Sequence, residues 1–221
     1  MREIWAIVPV KTSRAAKQRL SAALDADARS RLAVAMLEDV LSAAAGASGL
    51  AGLLVATCDP VAREIGLKFG ARILSVADKG QTPAVRSAMR LLADEGREAG
   101  LTLPIDIPLV TASEIEAVIA SACRHPEFVI VPAHDRRGSN AILCAPPGHV
   151  PLSFGNDSFL PHLEAARRCG IEPTALELPG IGLDIDNPAD LAAFLAVPSR
   201  TRTRQLLDTM TIDRTSAGEN V

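Results

Sequence analysis

The chain is poor in aromatic side chains: they make up 3% of it, and tyrosine is missing altogether. Stacking platforms for bases are therefore scarce, and a net charge of -3 leaves no broadly basic face. Both absences argue against a nucleic-acid binder. No apolar run reaches the roughly 18 to 20 residues that cross a bilayer. The opening residues, Met1-Arg2-Glu3 followed by IWAIVPV, lack a small-residue cleavage site, so they are read as a first strand rather than a secretory signal. Four cysteines, Cys58, Cys123, Cys144 and Cys169, stand far apart with no CxxC pair, which excludes zinc-ligand spacing. They are expected to be buried thiols in a reducing compartment, with the cytoplasm as the default. The dinucleotide fingerprint GxGxxG does not follow the first strand.

What is present suits one sizeable domain. Apolar residues are 48% of 221, enough for a large core. Residues 1–197 are expected to form that domain. Residues 198–221, rich in Thr, Arg, Ser and Asp, are expected to be a mobile tail with at most a short helix over Arg204 to Met210. Strands are expected at Ile4 to Val10, Leu53 to Thr57, Arg72 to Val76, Phe128 to Pro132, Ala141 to Ala145 and Pro173 to Leu178. A helical stripe runs through Leu32, Met36, Leu37, Val40, Leu41 and Ala44. Asp59-Pro60 opens a second helix, Gly80-Gln81-Thr82-Pro83 a third, and Ser113 to Glu116 matches a capping box for a fourth. Strand and helix alternate in the first half, which predicts an α/β fold with a doubly wound parallel sheet. Two adjacent strands around Gly138 make that sheet mixed.

Leu103 to Thr111, LPIDIPLVT, is the stretch around which the chemistry is expected to gather. It is read as a buried strand carrying one acid, Asp106, between two prolines. An unpaired acid in such a sheet costs several kcal/mol unless it is paired or neutralised. Its cheapest position is the C-terminal end of the strand, facing a crevice where open α/β sheets bind ligands. A second acidic strand end is expected at Leu183 to Asp186. Asn187 already serves as the helix cap before Pro188, so Asp184 and Asp186 are surplus to capping. Carboxylates from two strands can share one Mg²⁺ with substrate phosphate oxygens. Turn chemistry is the plainer account of the same residues.

The segment after the first strand carries Lys11, Arg14, Lys17 and Arg19. A solvated basic helix face would account for them. A clamp of Lys11, Lys17 and Arg19 on a polyphosphate is the functional alternative. Two polar loops, Gly138-Ser139-Asn140 and Phe154 to Ser158, suit either ordinary turns or a small anion held by backbone N–H groups and hydroxyls. His162, one turn into the next helix, is read as structural and not catalytic.

VPVK, AKQRL, DIPLV, RRGSNAIL, FGNDSFLPH and LDIDNPADL occur in this order, within residues 4 to 195. The series resembles the guanylyltransferases of deazaflavin cofactor (coenzyme F420) biosynthesis, whose usual wording is VPVK, AKSRL, DLPL, GTNAL, FGxxSFxxH and DIDTPxDL. The resemblance implies a single GT-A-like nucleotidyltransferase domain. It implies transfer of GMP from GTP to a phosphorylated three-carbon acid, with release of pyrophosphate. The acid is expected to be 3-phospho-D-glycerate first, then phosphoenolpyruvate or 2-phospho-L-lactate. By the matched motifs Asp106 and Asp186, with Asp184 nearby, resemble Mg²⁺ ligands. Ser139, Asn140, Gly155 and Ser158 resemble the acid site, and Lys11, Lys17 and Arg19 the nucleotide-phosphate contacts. Gly80 and Thr82 fall where the family has GLN, with Thr82 in place of the Asn. A homodimer and contact with the next enzyme of the pathway are left open. The rival readings are a nucleotidyltransferase of the same fold acting on a sugar phosphate or molybdopterin, and a non-catalytic nucleotide-binding domain.

Overall fold

Helices and strands account for most of the chain in a computed structural model that describes residues 3–12, 17–123, 125–155 and 157–210. Arg14, Asn156 and the last residues of the tail, 211–221, lie outside the described residues. In chain order the elements are β1 (Ile4–Pro9), α1 (Ala26–Gly46), β2 (Leu50–Thr57), α2 (Pro60–Lys68), β3 (Arg72–Ser75), α3 (Gln81–Asp94) and β4 (Ala99–Thr102). There follow α4 (Ala112–Ser121), β5 (Glu127–Pro132), β6 (Ser139–Ala145), α5 (Phe159–Arg168), β7 (Thr174–Ala175), α6 (Pro179–Gly182), α7 (Pro188–Ala196) and α8 (Arg202–Thr209).

Seven strands form one sheet in the order β3-β2-β1-β4-β6-β5-β7. β1 pairs in parallel with both β2 and β4, while β6 runs antiparallel between β4 and β5. The sheet is therefore mostly parallel but mixed, as the two strands around Gly138 predict. The strand order turns at β1, so the crevice beyond β1 and β4 is the topological switch point where such sheets bind ligands. All six residues of the predicted α1 stripe are buried. Asp25 caps that helix, accepting the Ala28 N–H at 2.8 Å.

Several expected elements differ. Residues 103–110 are not a strand: β4 ends at Thr102, one residue before the predicted run begins. Leu103 N–H still reaches Ile7 O at 2.9 Å, but Pro104 and Pro108 supply no donors to continue a ladder. The stretch is a loop beyond the strand end, which keeps Asp106 at the crevice. The capping box sits two residues earlier than predicted, with Thr111 and Glu114 as its members. The expected strand at 173–178 shrinks to two residues, and 183–186 is extended without strand pairing. Of the four cysteines only Cys144 is buried; Cys58 and Cys123 are exposed and Cys169 is intermediate. Cys58 follows the end of β2 and Cys123 follows the end of α4, outside the regular elements.

The polar segment after Pro198 contains α8, which is docked instead of loose. Leu207 and Thr203 are buried. Asp39, buried on α1, accepts the Arg202 and Thr203 N–H groups at 2.8 and 2.9 Å. An acid on one helix thus caps another, satisfying donors that a helix start leaves open. Asp39→Ala would strand both. The expected cost is about 2 kcal/mol, or a fall of roughly 4 to 8 °C in melting temperature for a chain of this size. Thermal unfolding followed by circular dichroism checks it, and an unchanged midpoint would remove Asp39 as the fastening of α8.

Candidate active site

Two loops leave neighbouring parallel strands and meet. The loop after β1 carries Lys17, and the loop after β4 carries Asp106. A third segment, between α6 and α7, brings Asp186. Lys17 Nζ donates to Asp106 Oδ2 at 2.9 Å and to Asp186 Oδ1 at 2.8 Å. The lysine side chain is 8% exposed, against 25% for Asp106 and 43% for Asp186. Burial would lower the Lys17 pKa, but the two carboxylates outweigh it and hold it above its ordinary value. Burial works the other way on Asp186, and there the Lys17 charge prevails and keeps the carboxyl below its usual range.

The backbone makes this meeting possible. Ile185 N–H donates to Asp106 O at 2.9 Å, joining the two acidic segments. Asp190 reaches back to the Asp186 and Asn187 N–H groups at 2.9 and 3.0 Å, while Asn187 caps α7. Upstream, Gly180 sits so close to Leu109 O and the Glu114 carboxylate that a side chain would have no room. Glu114 accepts the Gly180 N–H at 2.7 Å. The segment leading to Asp184 and Asp186 is thereby fixed against the Asp106 loop.

Lys11, Lys17, Arg19, Asp106 and Asp186 all line one cavity of about 350 Å³ beyond the ends of β1 and β4. Gly80 and Gln81 form another wall of it. Gly80 has φ 98°, a left-handed conformation that suits glycine, and it starts α3 with no side chain in the way. Cys58 also lines this cavity, a contact that its sequence surroundings do not reveal.

Asp184 stands apart from the Lys17 pair. Burial first, and the Asp106 charge second, push its pKa up to about 6. Asn140 Nδ2 donates to Asp184 Oδ1 at 3.0 Å and to the carbonyls of Ile181 and Gly182 at 2.9 and 3.2 Å. Its two N–H bonds are committed to three acceptors, so the side-chain amide offers no donor to a ligand. Asn140, expected among the acid contacts, holds the segment that presents Asp184. Among the described residues no group of three His, Cys, Asp or Glu is close enough to hold a metal. Two converging carboxylates, Asp106 and Asp186, still suit Mg²⁺, which often binds through one or two carboxylates and substrate phosphates.

Ser139 and Ser158 are brought together as expected, with a partner that the sequence conceals. His162 Nε2 accepts the Ser153 backbone N–H at 2.9 Å. That nitrogen therefore carries no proton, and Nδ1–H donates to Ser139 Oγ at 2.9 Å. Burial pushes the His162 pKa down to about 4, so the ring is neutral at physiological pH. Ser158 Oγ lies 3.2 Å from Ser139 Oγ. Ser158 is the donor in this pair, so the bond leaves the Ser139 hydroxyl proton uncommitted to it. Gly155, beside them, is exposed with open space where a side chain would be. Thr82, expected at the nucleotide, is not among the residues that line the cavity beyond β1 and β4; its Oγ1 accepts the Phe154 N–H at 2.9 Å.

One mostly parallel sheet flanked by helices, with cations and carboxylates at its switch point, is the architecture of a GT-A-like nucleotidyltransferase domain. Solved structures of similar fold include a candidate nucleotide-diphospho-sugar transferase from Desulfovibrio desulfuricans, with TM-score 0.76, 20% identity and coverage of 94% of this chain and 95% of that one. A 4-diphosphocytidyl-2C-methyl-D-erythritol synthase gives TM-score 0.62 at 14% identity, over 94% of this chain and all of the other. The chain belongs to the family described as "Guanylyl transferase CofC like", whose sequence model matches residues 4–220. It is 41% identical to the phosphoenolpyruvate guanylyltransferase of Rubrobacter xylanophilus, over 87% of this chain and 94% of that protein. It is 32% identical to the 3-phospho-D-glycerate guanylyltransferase of Colwellia psychrerythraea, over 90% and 94%. No helix among the described residues is long and apolar enough to cross a membrane.

Proposed function

We propose that this protein joins GTP to a phosphorylated three-carbon acid, with phosphoenolpyruvate as the first choice of acid. The sequence reading put 3-phospho-D-glycerate first. The order is reversed here because a relative named for phosphoenolpyruvate is 41% identical and a relative named for 3-phospho-D-glycerate 32%. 2-Phospho-L-lactate comes third. The product, a diphospho-5'-guanosine linked to the acid, would enter coenzyme F420 biosynthesis.

The observation that carries the proposal is the convergence of Lys17, Asp106 and Asp186 in the cavity at the switch point. A phosphate oxygen of the acid attacks the α-phosphorus of GTP. The bond from that phosphorus to the bridging oxygen breaks, and pyrophosphate leaves with the electron pair. A phosphate dianion is nucleophilic enough that no protein nucleophile is needed. Lys11, Lys17 and Arg19 offset charge on the departing pyrophosphate. Asp106 and Asp186 would hold Mg²⁺, which when bound supplies further charge neutralisation at the triphosphate. The remaining hydroxyl proton of the Ser139–Ser158 pair, and the Gly155 backbone, face the acid. His162 keeps Ser139 oriented and exchanges no proton with substrate.

The test is an assay of the purified protein with GTP, Mg²⁺ and each of the three acids, reading pyrophosphate release and product mass. Pyrophosphate should appear with phosphoenolpyruvate, with incorporation of one GMP. Release with none of the acids, or only with a sugar phosphate or another nucleotide, overturns the proposal.

A further inference from the structure

The segment Leu152 to Phe154 leads into the Gly155–Ser158 loop, and it is tied down from two sides. From α3, Arg86 Nε donates to Leu152 O at 2.8 Å. Thr82 Oγ1 accepts the Phe154 N–H at 2.9 Å and lies 3.4 Å from Phe154 O. From α5, His162 accepts the Ser153 N–H at 2.9 Å. The His162 ring also meets the Phe154 ring edge-on, with centroids 5.2 Å apart. Three consecutive residues are thus held by side chains from two different helices.

The direction of Thr82 matters because of what precedes it. Gly80 and Gln81 line the nucleotide cavity; one residue later the helix turns its hydroxyl to the opposite loop. We propose that Thr82 is a positioning residue for the acid pocket, not a nucleotide contact. Its hydroxyl sets the Phe154 backbone, and hence where the Gly155 backbone and Ser158 stand. One helix start then serves both pockets, through Gly80 and Gln81 on one side and Thr82 on the other. The side chain suits this task because a hydroxyl can accept from Phe154 N–H and donate to Phe154 O at once. The Thr methyl and the following Pro83, in the first turn of α3 where its missing N–H is harmless, stiffen the attachment.

This inference rests on the proposed two-substrate reading for its kinetic arm, but not for its structural one. In the substrate-free protein, hydrogen exchange at the Phe154 amide should speed up about tenfold in Thr82→Val, which keeps the shape and loses the hydroxyl. Thr82→Ser should exchange like wild type. A tenfold change is what loss of one hydrogen bond of ordinary strength produces. In steady-state kinetics, Thr82→Val should raise KM for the acid about tenfold and leave KM for GTP within about twofold, with Thr82→Ser restoring the acid KM. Unchanged exchange in Thr82→Val overturns the brace. A rise in GTP KM with an unchanged acid KM returns Thr82 to the nucleotide and overturns it as well. If the wild-type protein turns over none of the acids, the proposed function fails, and the exchange measurement alone decides the role of Thr82.

Discussion

Asp106→Asn is expected to lower turnover at least 10²-fold, the scale on which electrostatic stabilisation of a transition state is lost. The substitution keeps the shape and removes one negative charge. Asp106 O, which accepts the Ile185 N–H, is a backbone atom and is untouched, so the two acidic segments stay joined. Lys17 keeps Asp186 as a partner at 2.8 Å. Stability should therefore change by less than about 1 kcal/mol, as for other partly exposed ion pairs. A circular dichroism melt separates this from a folding defect. A second readout follows from Asp184. The Asp106 charge is the second cause, after burial, of its elevated pKa. Removing a nearby negative charge eases ionisation, so the Asp184 pKa should fall below about 6 in the variant. Carboxyl chemical shifts followed against pH would report it. Near-normal turnover in Asp106→Asn would sink the charge-handling role proposed for this residue.

Why Asp106 could be singled out from the sequence, and other residues not, comes down to the range of the forces involved. A lone acid in an apolar run is conspicuous because its burial is costly wherever the run folds. Asp106 is conspicuous even though it lies in a loop, not a strand: β4 ends at Thr102, and Pro104 supplies no donor to extend it. The α1 stripe and the Asp59-Pro60 cap are local patterns, and both appear as expected, with Asp59 accepting the Val61 N–H at 2.8 Å. The docking of α8 is not local: Asp39 reaches backbone groups 163 and 164 positions away. Nothing near Pro198 announces that partner, so the segment reads as a loose tail. His162 is similar. Its type and helix were visible, but its task depends on Ser153 from one side and Ser139 from the other. Asn140 and Thr82 show the finer limit. The motifs point to both residues, while their hydrogen-bond partners, Asp184 for Asn140 and Phe154 for Thr82, are set by the fold.

Lys17→Met should lower turnover by a similar factor of at least 10², yet shift divalent-cation binding in the opposite sense from Asp106→Asn. Lys17 is held in an unusual state. Its backbone is left-handed, with φ 52° and ψ 42°, a conformation that costs a residue with a side chain about 1 kcal/mol or more. The two charge-assisted bonds of its ammonium offset that strain. Methionine has comparable length and no charge, so Asp106 and Asp186 would face each other with their shared cation gone. Because both acids keep access to water, the cost in metal-free protein is about 1 to 2 kcal/mol rather than that of a fully buried pair. The melting temperature should fall by roughly 2 to 8 °C, and added Mg²⁺ should recover most of it. The sharper measurement is Mn²⁺ titration followed by electron paramagnetic resonance, without nucleotide. In wild type a divalent cation competes with an ammonium already bound between the same two oxygens. In Lys17→Met that competitor is absent, and affinity should rise by about tenfold or more. In Asp106→Asn a ligand is lost and affinity should fall. Equal affinity in wild type and Lys17→Met would mean that the cation and the ammonium use different oxygens, and the shared position proposed for them would be wrong.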